Sequence, residues 1–183
     1  MRTGRLELIV GPMFAGKTTE LLRRVQEARQ QGLKVEVYKP RLDTRHAEAA
    51  VISHDGLTVE AKWVGPSGWE LPFVSGAEVV ALDEVQFFSG EVVQHISKAM
   101  RRGLRVIAAG LDLTSGEKPF DPVPALLSLA DEVVKLRANC CRCGQPASRS
   151  QRLVSMGGTI LVGGAEAYEP RCVACFEPDG GRP

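Results

Sequence analysis

The segment GPMFAGKT, residues 11–18, has the residue types and spacing of a phosphate-binding loop. It matches the pattern G-x-x-x-x-G-K-[ST] between a strand-like apolar run and a helical pattern, which is the context that this motif requires. Backbone N–H groups would face the anion, Lys17 would reach the β/γ-phosphates of a nucleoside triphosphate, and Thr18 would ligate Mg²⁺. Because Pro12 has no N–H, the donors are expected from about Met13 onward. The predicted loop comprises Gly11, Pro12, Met13, Phe14, Ala15, Gly16, Lys17 and Thr18.

An acidic pair, Asp83 and Glu84, follows a second apolar run. Proteins with such a loop take a second metal-side acid from the end of another buried strand, so Asp83 is the predicted partner of Thr18 at Mg²⁺, directly or through water. Glu84 adds a carboxylate that can take a proton from an attacking hydroxyl or water. The two motifs together predict phosphoryl transfer from a nucleoside triphosphate.

Apolar runs alternate with helical patterns through the part of the chain that contains both motifs. Strands are predicted at 6–10, 33–38, 77–84, 104–110 and 131–138, and helices at 17–31 and 90–102. This rhythm indicates an α/β fold, a P-loop (RecA-like) domain with a mainly parallel sheet and flanking helices. In such sheets ligands bind beyond the carboxyl ends of the strands, where residues 11–18 and 83–86 would lie.

All five cysteines lie between residues 140 and 175. Two C-x-x-C pairs, Cys140/Cys143 and Cys172/Cys175, can close a tetrahedral Cys₄ site, and we predict a structural Zn²⁺ there. Free thiols or a redox pair are the alternatives, and a shift of one ligand from Cys140 to Cys141 stays open. We therefore expect two domains, a P-loop domain over residues 1–138 and a zinc-binding, ribbon-like lobe over residues 139–183; the family resemblance described below implies that the first is a kinase domain and that the lobe carries a substrate loop.

Composition narrows the classes of protein. The net charge of +1 over 183 residues gives no overall attraction to nucleic acid or to an anionic membrane. No apolar run approaches the ~20 residues of a membrane span, and the N-terminus lacks the pattern of a secretory signal. A cytoplasmic protein without nucleic-acid or membrane partners is expected.

The residues alone leave two classes of P-loop protein open. One is a small kinase in which Glu84 deprotonates an acceptor alcohol, and the other is an ATPase motor, since DEVQ (83–86) also resembles a helicase motif. The length of the chain and the lack of a basic stripe favour the kinase. A zinc-ribbon binding module, the third alternative, would not need a phosphate loop.

Six segments resemble the type II thymidine kinases, the cellular and bacterial class, over residues 6 to about 176. They are GPMFAGKTTELLRR, KPRLDTR, SHDG, DEVQFF, GLDL…KPF and VGGAEAY, in that order. The resemblance implies that ATP, with Mg²⁺, donates its γ-phosphoryl group to the 5′-hydroxyl of thymidine, and of deoxyuridine, giving the monophosphate and ADP. It also implies zinc at the cysteines and a homotetramer.

The resemblance also implies roles for individual residues. Glu84 matches the catalytic base, and Lys17 and Arg45 complete the expected catalytic set. ATP contacts are implied for Asp43, Thr44, Arg45 and Gln86 besides the loop and Asp83. The implied nucleoside pocket, which includes a lasso over 159–163, comprises Met13, Phe87, Leu111, Phe120, Ser150, Thr159, Ile160, Leu161, Val162, Gly163 and Tyr168.

Two places need a separate interpretation. Ser115 stands where many members of that family have phenylalanine, so an aromatic contact with the nucleoside cannot be carried over there. His54 and Asp55 lie in an Asp-Gly turn between two strand-like runs, and we favour a hairpin turn over a catalytic histidine.

Overall fold

The computed structural model describes residues 3–41, 50–52, 56, 58–65, 76–154 and 163–178. Its centre is a six-stranded sheet in the order β5-β2-β6-β7-β1-β8, and every pairing in it is parallel. The sheet strands are β1 (Arg5–Val10), β2 (Val35–Pro40), β5 (Lys62–Val64), β6 (Val79–Leu82), β7 (Arg105–Gly110) and β8 (Glu132–Lys135). The outer strands are β3 (Ala50–Ile52), β4 (Thr58–Glu60), β9 (Ala138–Asn139), β10 (Pro146–Ala147), β11 (Arg149–Arg152) and β12 (Tyr168–Arg171).

In the described part of the chain, three α-helices cover the two faces of the sheet: α1 (Lys17–Gln30), α2 (Val92–Arg101) and α3 (Val123–Leu129). The buried face of α1, with Leu21 and Val25, packs with Ile9 and Ile107 on one side. Helices α2 and α3 pack on the other side, against the alternate residues of the same strands. The prediction of a parallel α/β fold with flanking helices is confirmed, and β7 lies between the strand of the phosphate loop and the strand of Asp83.

The predicted elements are present, with ends that shift by up to three residues. Helix α3 was not predicted, because its segment DPVPALLSLA carries two prolines. Pro124 lies in the first turn, where proline is tolerated since that N–H has no partner within the helix. The predicted hairpin is present as antiparallel β3–β4, and His54 and Asp55 themselves lie outside the described residues.

A buried ionic network joins α1 to the sheet. Glu7, in the middle of β1, is 1% exposed and accepts hydrogen bonds from Arg24 at 2.6 Å and from Arg105 at 2.6 and 2.9 Å. Arg24 also contacts Glu20 and Glu132, each at 2.8 Å. Burial opposes ionisation of Glu7, but the hydrogen bonds from Arg105 and Arg24 outweigh it and lower its pKa to about 2.

The C-terminal part, residues 138–154 and 163–178, is called the cysteine lobe below. It contains the antiparallel pairs β9–β10 and β11–β12. Its own core is small, consisting of Ala138, Cys140, Ala147 and Cys172. No helix in the described part of the chain is long and apolar enough to cross a membrane.

Candidate active site

The phosphate loop turns directly from β1 into α1. Gly11 has φ +145°, and a Cβ there would lie 2.5 Å from the carbonyl oxygen of Leu136, so a side chain does not fit. Gly16 has φ +81° and ends the loop immediately before α1 begins at Lys17. Phe14 also has a positive φ, 63°, which is uncommon for a residue with a side chain. The loop therefore combines the backbone freedom and the helix N-terminus that an anion site needs.

The side chain of Lys17 and the backbone N–H of Met13 have partners within the protein. The ammonium group of Lys17 donates to the carbonyl of Pro12 at 2.7 Å. The N–H of Met13 donates to Oγ of Ser150 in β11 at 3.0 Å. With the N–H of Met13 bonded to Ser150, the N–H groups of residues 14–18 are the candidate donors to a phosphate.

Asp83 faces the phosphate loop across the edge of the sheet. Its two carboxylate oxygens lie 3.4 and 3.3 Å from the hydroxyl of Thr18. Asp83 is 5% exposed. Burial, followed by the charge of Glu84, raises its pKa to about 7, while the ammonium groups of Lys39 and Lys17 act in the opposite direction. A hydroxyl and a carboxylate at this separation are oxygen donors of the type that Mg²⁺ takes, with water completing its shell.

Glu84 follows directly and is held in an unusual conformation. Its φ is 52°, in the left-handed region. The side-chain amide of Gln86 donates to a carboxylate oxygen of Glu84, and its carbonyl accepts the N–H of Leu111 at 3.0 Å. Gln86 is itself 4% exposed. A Cβ on Gly110 would lie 2.6 Å from the side-chain carbonyl oxygen of Gln86, so a side chain at position 110 would displace the Gln86 amide.

An aromatic pair includes Phe87, whose N–H donates to the backbone carbonyl of Glu84 at 3.0 Å. The rings of Phe87 and Phe120 meet edge to face, with centroids 5.9 Å apart and an interplanar angle of 87°. Phe120 belongs to the loop over residues 111–120, which a bridge between Leu113 and Pro119 closes. Such an edge-to-face pair is a rigid apolar surface of the kind that lines pockets for small molecules. Tyr168, at the start of β12, is 8% exposed.

The cysteine lobe brings four thiols together. The Sγ atoms of Cys140, Cys143, Cys172 and Cys175 all lie within 4.8 Å of one another. A tetrahedral Zn–S₄ site, with bonds of about 2.3 Å, needs S···S separations of ~3.8 Å, so the arrangement fits this metal. Desolvation opposes ionisation of Cys140, but backbone N–H groups of Cys172 and Cys143 outweigh it and lower its pKa to about 6. Cys141 is exposed and does not belong to the group of four thiols found in the described part of the chain.

Several predicted residues cannot be placed. Asp43, Thr44, Arg45, Thr159, Ile160, Leu161 and Val162 lie outside the described residues. The other predicted residues either follow the carboxyl ends of β1, β6 and β7 or belong to the cysteine lobe.

Sequence reasoning missed two lysines at this edge. Lys39, at the end of β2, is 3% exposed and lies 5.7 Å from the ring centre of Trp63. Lys135, at the end of β8, forms an ion pair of 2.7 Å with the buried Asp112. Both lysines lie at the carboxyl ends of observed strands, but the predicted strands, 33–38 and 131–138, do not end at them. No local sequence signal therefore identified these lysines, and the order of the strands puts them near the motifs.

A parallel α/β sheet, with a phosphate loop after β1 and an acid facing that loop, defines the class of P-loop nucleotide-binding proteins. The chain belongs to the thymidine kinase family: the family model described as thymidine kinase matches residues 4–176. It is thus an enzyme of a kinase family.

Curated relatives support the same family. A thymidine kinase of Bacteroides fragilis is 43% identical over 176 residues, covering 96% of this chain and 88% of the relative. Those of Rhodothermus sp. and Bdellovibrio bacteriovorus are 42% and 44% identical, with 96% of this chain and 82% and 87% of the relatives covered. Among solved structures, domain III of the Thermotoga maritima replication initiation protein DnaA aligns with a TM-score of 0.43 and 16% identity, over 72% of this chain and 54% of that one.

Proposed function

We propose that the protein transfers the γ-phosphoryl group of ATP to the 5′-hydroxyl of thymidine, and also of deoxyuridine. The observation that carries the proposal is the contact of Thr18 with Asp83 at the phosphate loop, in a member of the thymidine kinase family. Glu84 follows Asp83 directly and its charge acts on Asp83, which supports a role for Glu84 as the base. Phosphoryl transfer depends mainly on positioning and on neutralisation of charge, which these residues are suited to provide.

The donor side is formed by the phosphate loop. The backbone N–H groups of residues 14–18 bind the β/γ-phosphates, together with Lys17, which exchanges its contact with the Pro12 carbonyl for the phosphates. Thr18 and Asp83 would hold Mg²⁺, which neutralises phosphate charge when it is bound. Asp43, Thr44, Arg45 and Gln86 are further ATP-side residues by family resemblance, and the guanidinium of Arg45 suits phosphate oxygens.

Glu84 is the proposed general base on the acceptor side. The amide of Gln86 orients its carboxylate, and the carbonyl of the same Gln86 is anchored by Leu111. The carboxylate takes the proton of the 5′-hydroxyl as that oxygen attacks the γ-phosphorus. Holding the base in one position in advance avoids the cost of ordering it during the reaction.

The nucleoside lies between the phosphate loop and the cysteine lobe in this proposal. Met13, Phe87, Leu111, Phe120, Ser150 and Tyr168 form its walls. The lasso, with Thr159, Ile160, Leu161, Val162 and Gly163, covers the base and reads it through backbone groups. The described Gly163 lies close to the side chain of Ala167, since a Cβ at position 163 would be 2.7 Å from the Cβ of Ala167.

The proposal also gives the four cysteines a role in holding the cysteine lobe together. Zn²⁺ at the four cysteines stabilises a lobe whose own core is too small to fold alone, and so anchors both ends of the lasso. The division into a kinase domain, 1–138, and a zinc lobe, 139–183, a homotetrameric state and a cytoplasmic location remain predictions.

Product analysis tests the proposal directly. The protein is incubated with Mg-ATP and, separately, with thymidine, deoxyuridine, deoxycytidine and a purine nucleoside. Thymidine monophosphate and ADP are expected to form in equal amounts. Release of ADP and phosphate without a nucleoside monophosphate, above all if DNA stimulates it, would contradict the kinase assignment and favour an ATPase motor.

A further inference from the structure

The cysteine lobe contacts the phosphate loop directly. Ser150, which is 6% exposed, accepts the N–H of Met13 at 3.0 Å. Its strand, β11, is held by antiparallel pairing with β12, in which Ser150 lies opposite Pro170. The position of the Ser150 hydroxyl is therefore fixed by the pairing of β11 with β12.

Two further contacts lie on the same side of the loop. Ala15 packs against the small core of the cysteine lobe, which contains Cys140 and Cys172. Gly11 lies against the backbone of Leu136, whose own N–H donates to the carbonyl of Val10 at 2.8 Å. Gly11, at the start of the phosphate loop, therefore contacts the segment that leads from β8 into the lobe. Met13 and Ala15 contact the lobe itself.

These contacts bear on nucleotide binding because a phosphate loop works through the directions of its N–H groups. The N–H of Met13 has its partner in the lobe, so that peptide plane is oriented before a nucleotide arrives. A loop without this partner would lose part of its affinity to the cost of ordering itself around the phosphates.

We propose that Ser150 is a positioning residue for the donor site, through which the cysteine lobe holds the phosphate loop ready for nucleotide even without nucleoside. The inference rests on the P-loop part of the proposed function. It adds a second role for Ser150, which family resemblance places only near the nucleoside base. The lobe then serves both substrates, the nucleoside through the lasso and the nucleotide through Met13.

The neighbouring residue of β11 offers a matched control. Arg149 forms an ion pair of 2.5 Å with Glu117, in the loop over residues 111–120 on the acceptor side. Arg149→Ala therefore removes a contact of the same strand that is not directed to the phosphate loop. Ser150→Thr keeps the hydroxyl and is the conservative variant.

The test is calorimetric titration of the zinc-loaded proteins with Mg-ADP in the absence of nucleoside. Ser150→Ala is expected to weaken ADP binding by about three- to tenfold, the range for one lost hydrogen bond. Ser150→Thr and Arg149→Ala are expected to stay within about twofold of the wild type, a loss smaller than that of one hydrogen bond. Unchanged ADP affinity in Ser150→Ala, or an equal loss in Arg149→Ala, would overturn the proposal.

A second measurement needs no variant. In the wild-type protein without ligands, amide hydrogen exchange at Met13 is expected to be slowed, since its N–H is bonded to Ser150. Exchange at the rate of an unprotected amide would overturn the proposal even if Ser150→Ala failed to fold. The two proposals fail separately: wild-type protein that binds ADP but does not phosphorylate thymidine refutes the proposed function and leaves the role of Ser150 standing.

Discussion

Glu84 is held both by its backbone and by its side chain. Its left-handed φ of 52° costs conformational energy, and the amide of Gln86 donates to its carboxylate. Gln86 is fixed in turn by the N–H of Leu111. Asp83, one residue earlier, faces Thr18 instead. Adjacent carboxylates are thus directed to different partners, which is the basis for assigning them different roles.

Glu84→Gln should leave ATP and thymidine binding nearly unchanged and lower kcat by ~10²–10⁴-fold. The amide keeps the shape of the side chain but cannot accept the proton. Single-turnover kinetics with binding titrations of both substrates separate the two effects. Glu117→Gln, an exposed carboxyl outside the proposed catalytic set, is the control. A variant with normal kcat would contradict the role of Glu84.

Asp83→Asn should instead raise the Mg²⁺ concentration needed for half-maximal activity. The reason is that an amide is a weaker ligand than a carboxylate for a hard cation. Titration of Mg²⁺ at saturating ATP and thymidine measures this. If Asp83→Asn lowers kcat with an unchanged Mg²⁺ requirement, while Glu84→Gln changes the Mg²⁺ requirement, the two roles are reversed.

At the scale of elements, the first two turns of helix α1 are joined to the sheet. The phosphate loop connects the N-terminus of the helix to β1, and ion pairs connect its second turn to β1 and β8. Its N-terminus carries Lys17 and Thr18, and its second turn carries Arg24, which binds Glu7 of β1 and Glu132 of β8. Glu7 also binds Arg105 of β7. Three adjacent strands and the helix thus share one ionic network, so the position of the phosphate loop depends on it.

Glu7→Gln tests this network. At pH 7 it should lower the free energy of unfolding by up to ~3–5 kcal/mol, since it removes the buried charge shared by Arg24 and Arg105 and leaves Arg24 only Glu20 and Glu132. The pKa of Glu7 is lowered from 4.5 to about 2, so its stabilisation is present above pH 4.5 and is lost as the pH falls toward 2. The difference from the wild type should therefore shrink over that window in denaturant titrations. Glu27→Gln, whose partner Arg23 is exposed, should have little effect at any pH.

The cysteine lobe is the second element on which the site depends. Its core contains four buried residues, so we expect bound zinc to supply most of its stability. Cys143→Ser should lose stoichiometric zinc and lower the melting temperature by several degrees, consistent with a loss of ~1–2 kcal/mol or more. Cys141→Ser should keep both, because Cys141 is exposed and outside the cluster. Full zinc content in Cys143→Ser, measured by atomic absorption, would refute the ligand set.

At the scale of the whole molecule, the proposed nucleoside site combines surfaces from both parts of the chain. Met13 comes from the phosphate loop, Phe87 and Phe120 from the carboxyl edge of the sheet, and Ser150 and Tyr168 from the cysteine lobe. An adaptable thioether suits the 5-methyl group of thymine. Backbone groups of the lasso would read the donor–acceptor edge of the base.

Thymidine and deoxyuridine should therefore both be phosphorylated, and deoxycytidine should be poor by a much wider margin. A missing methyl group is worth only ~1–3 kcal/mol, whereas the reversed pattern of cytosine leaves buried polar groups unpaired. Comparison of kcat/KM for these nucleosides and a purine nucleoside measures the difference. Efficient phosphorylation of deoxycytidine would contradict reading by the backbone of the lasso.

The contiguous motifs could be predicted from the sequence by itself. Residues 11–18, the pair Asp83–Glu84 and the two C-x-x-C pairs are short, and their chemistry follows from residue type and spacing. The strands were also predictable, because buried parallel strands are continuous apolar runs. Helix α3 was not, since its prolines obscure the helical pattern.

Contacts between distant residues were decided only by the tertiary structure. The bond from Met13 to Ser150 joins residues 137 positions apart, and the bond from Arg24 to Glu132 joins residues 108 apart. Lys39 lies next to Asp83 because β2 pairs with β6. No local pattern encodes such pairs, because they depend on the order of the strands and on where the cysteine lobe folds back. The sequence alone therefore determined the chemistry of the phosphate loop, and the fold determined which groups hold that loop in place.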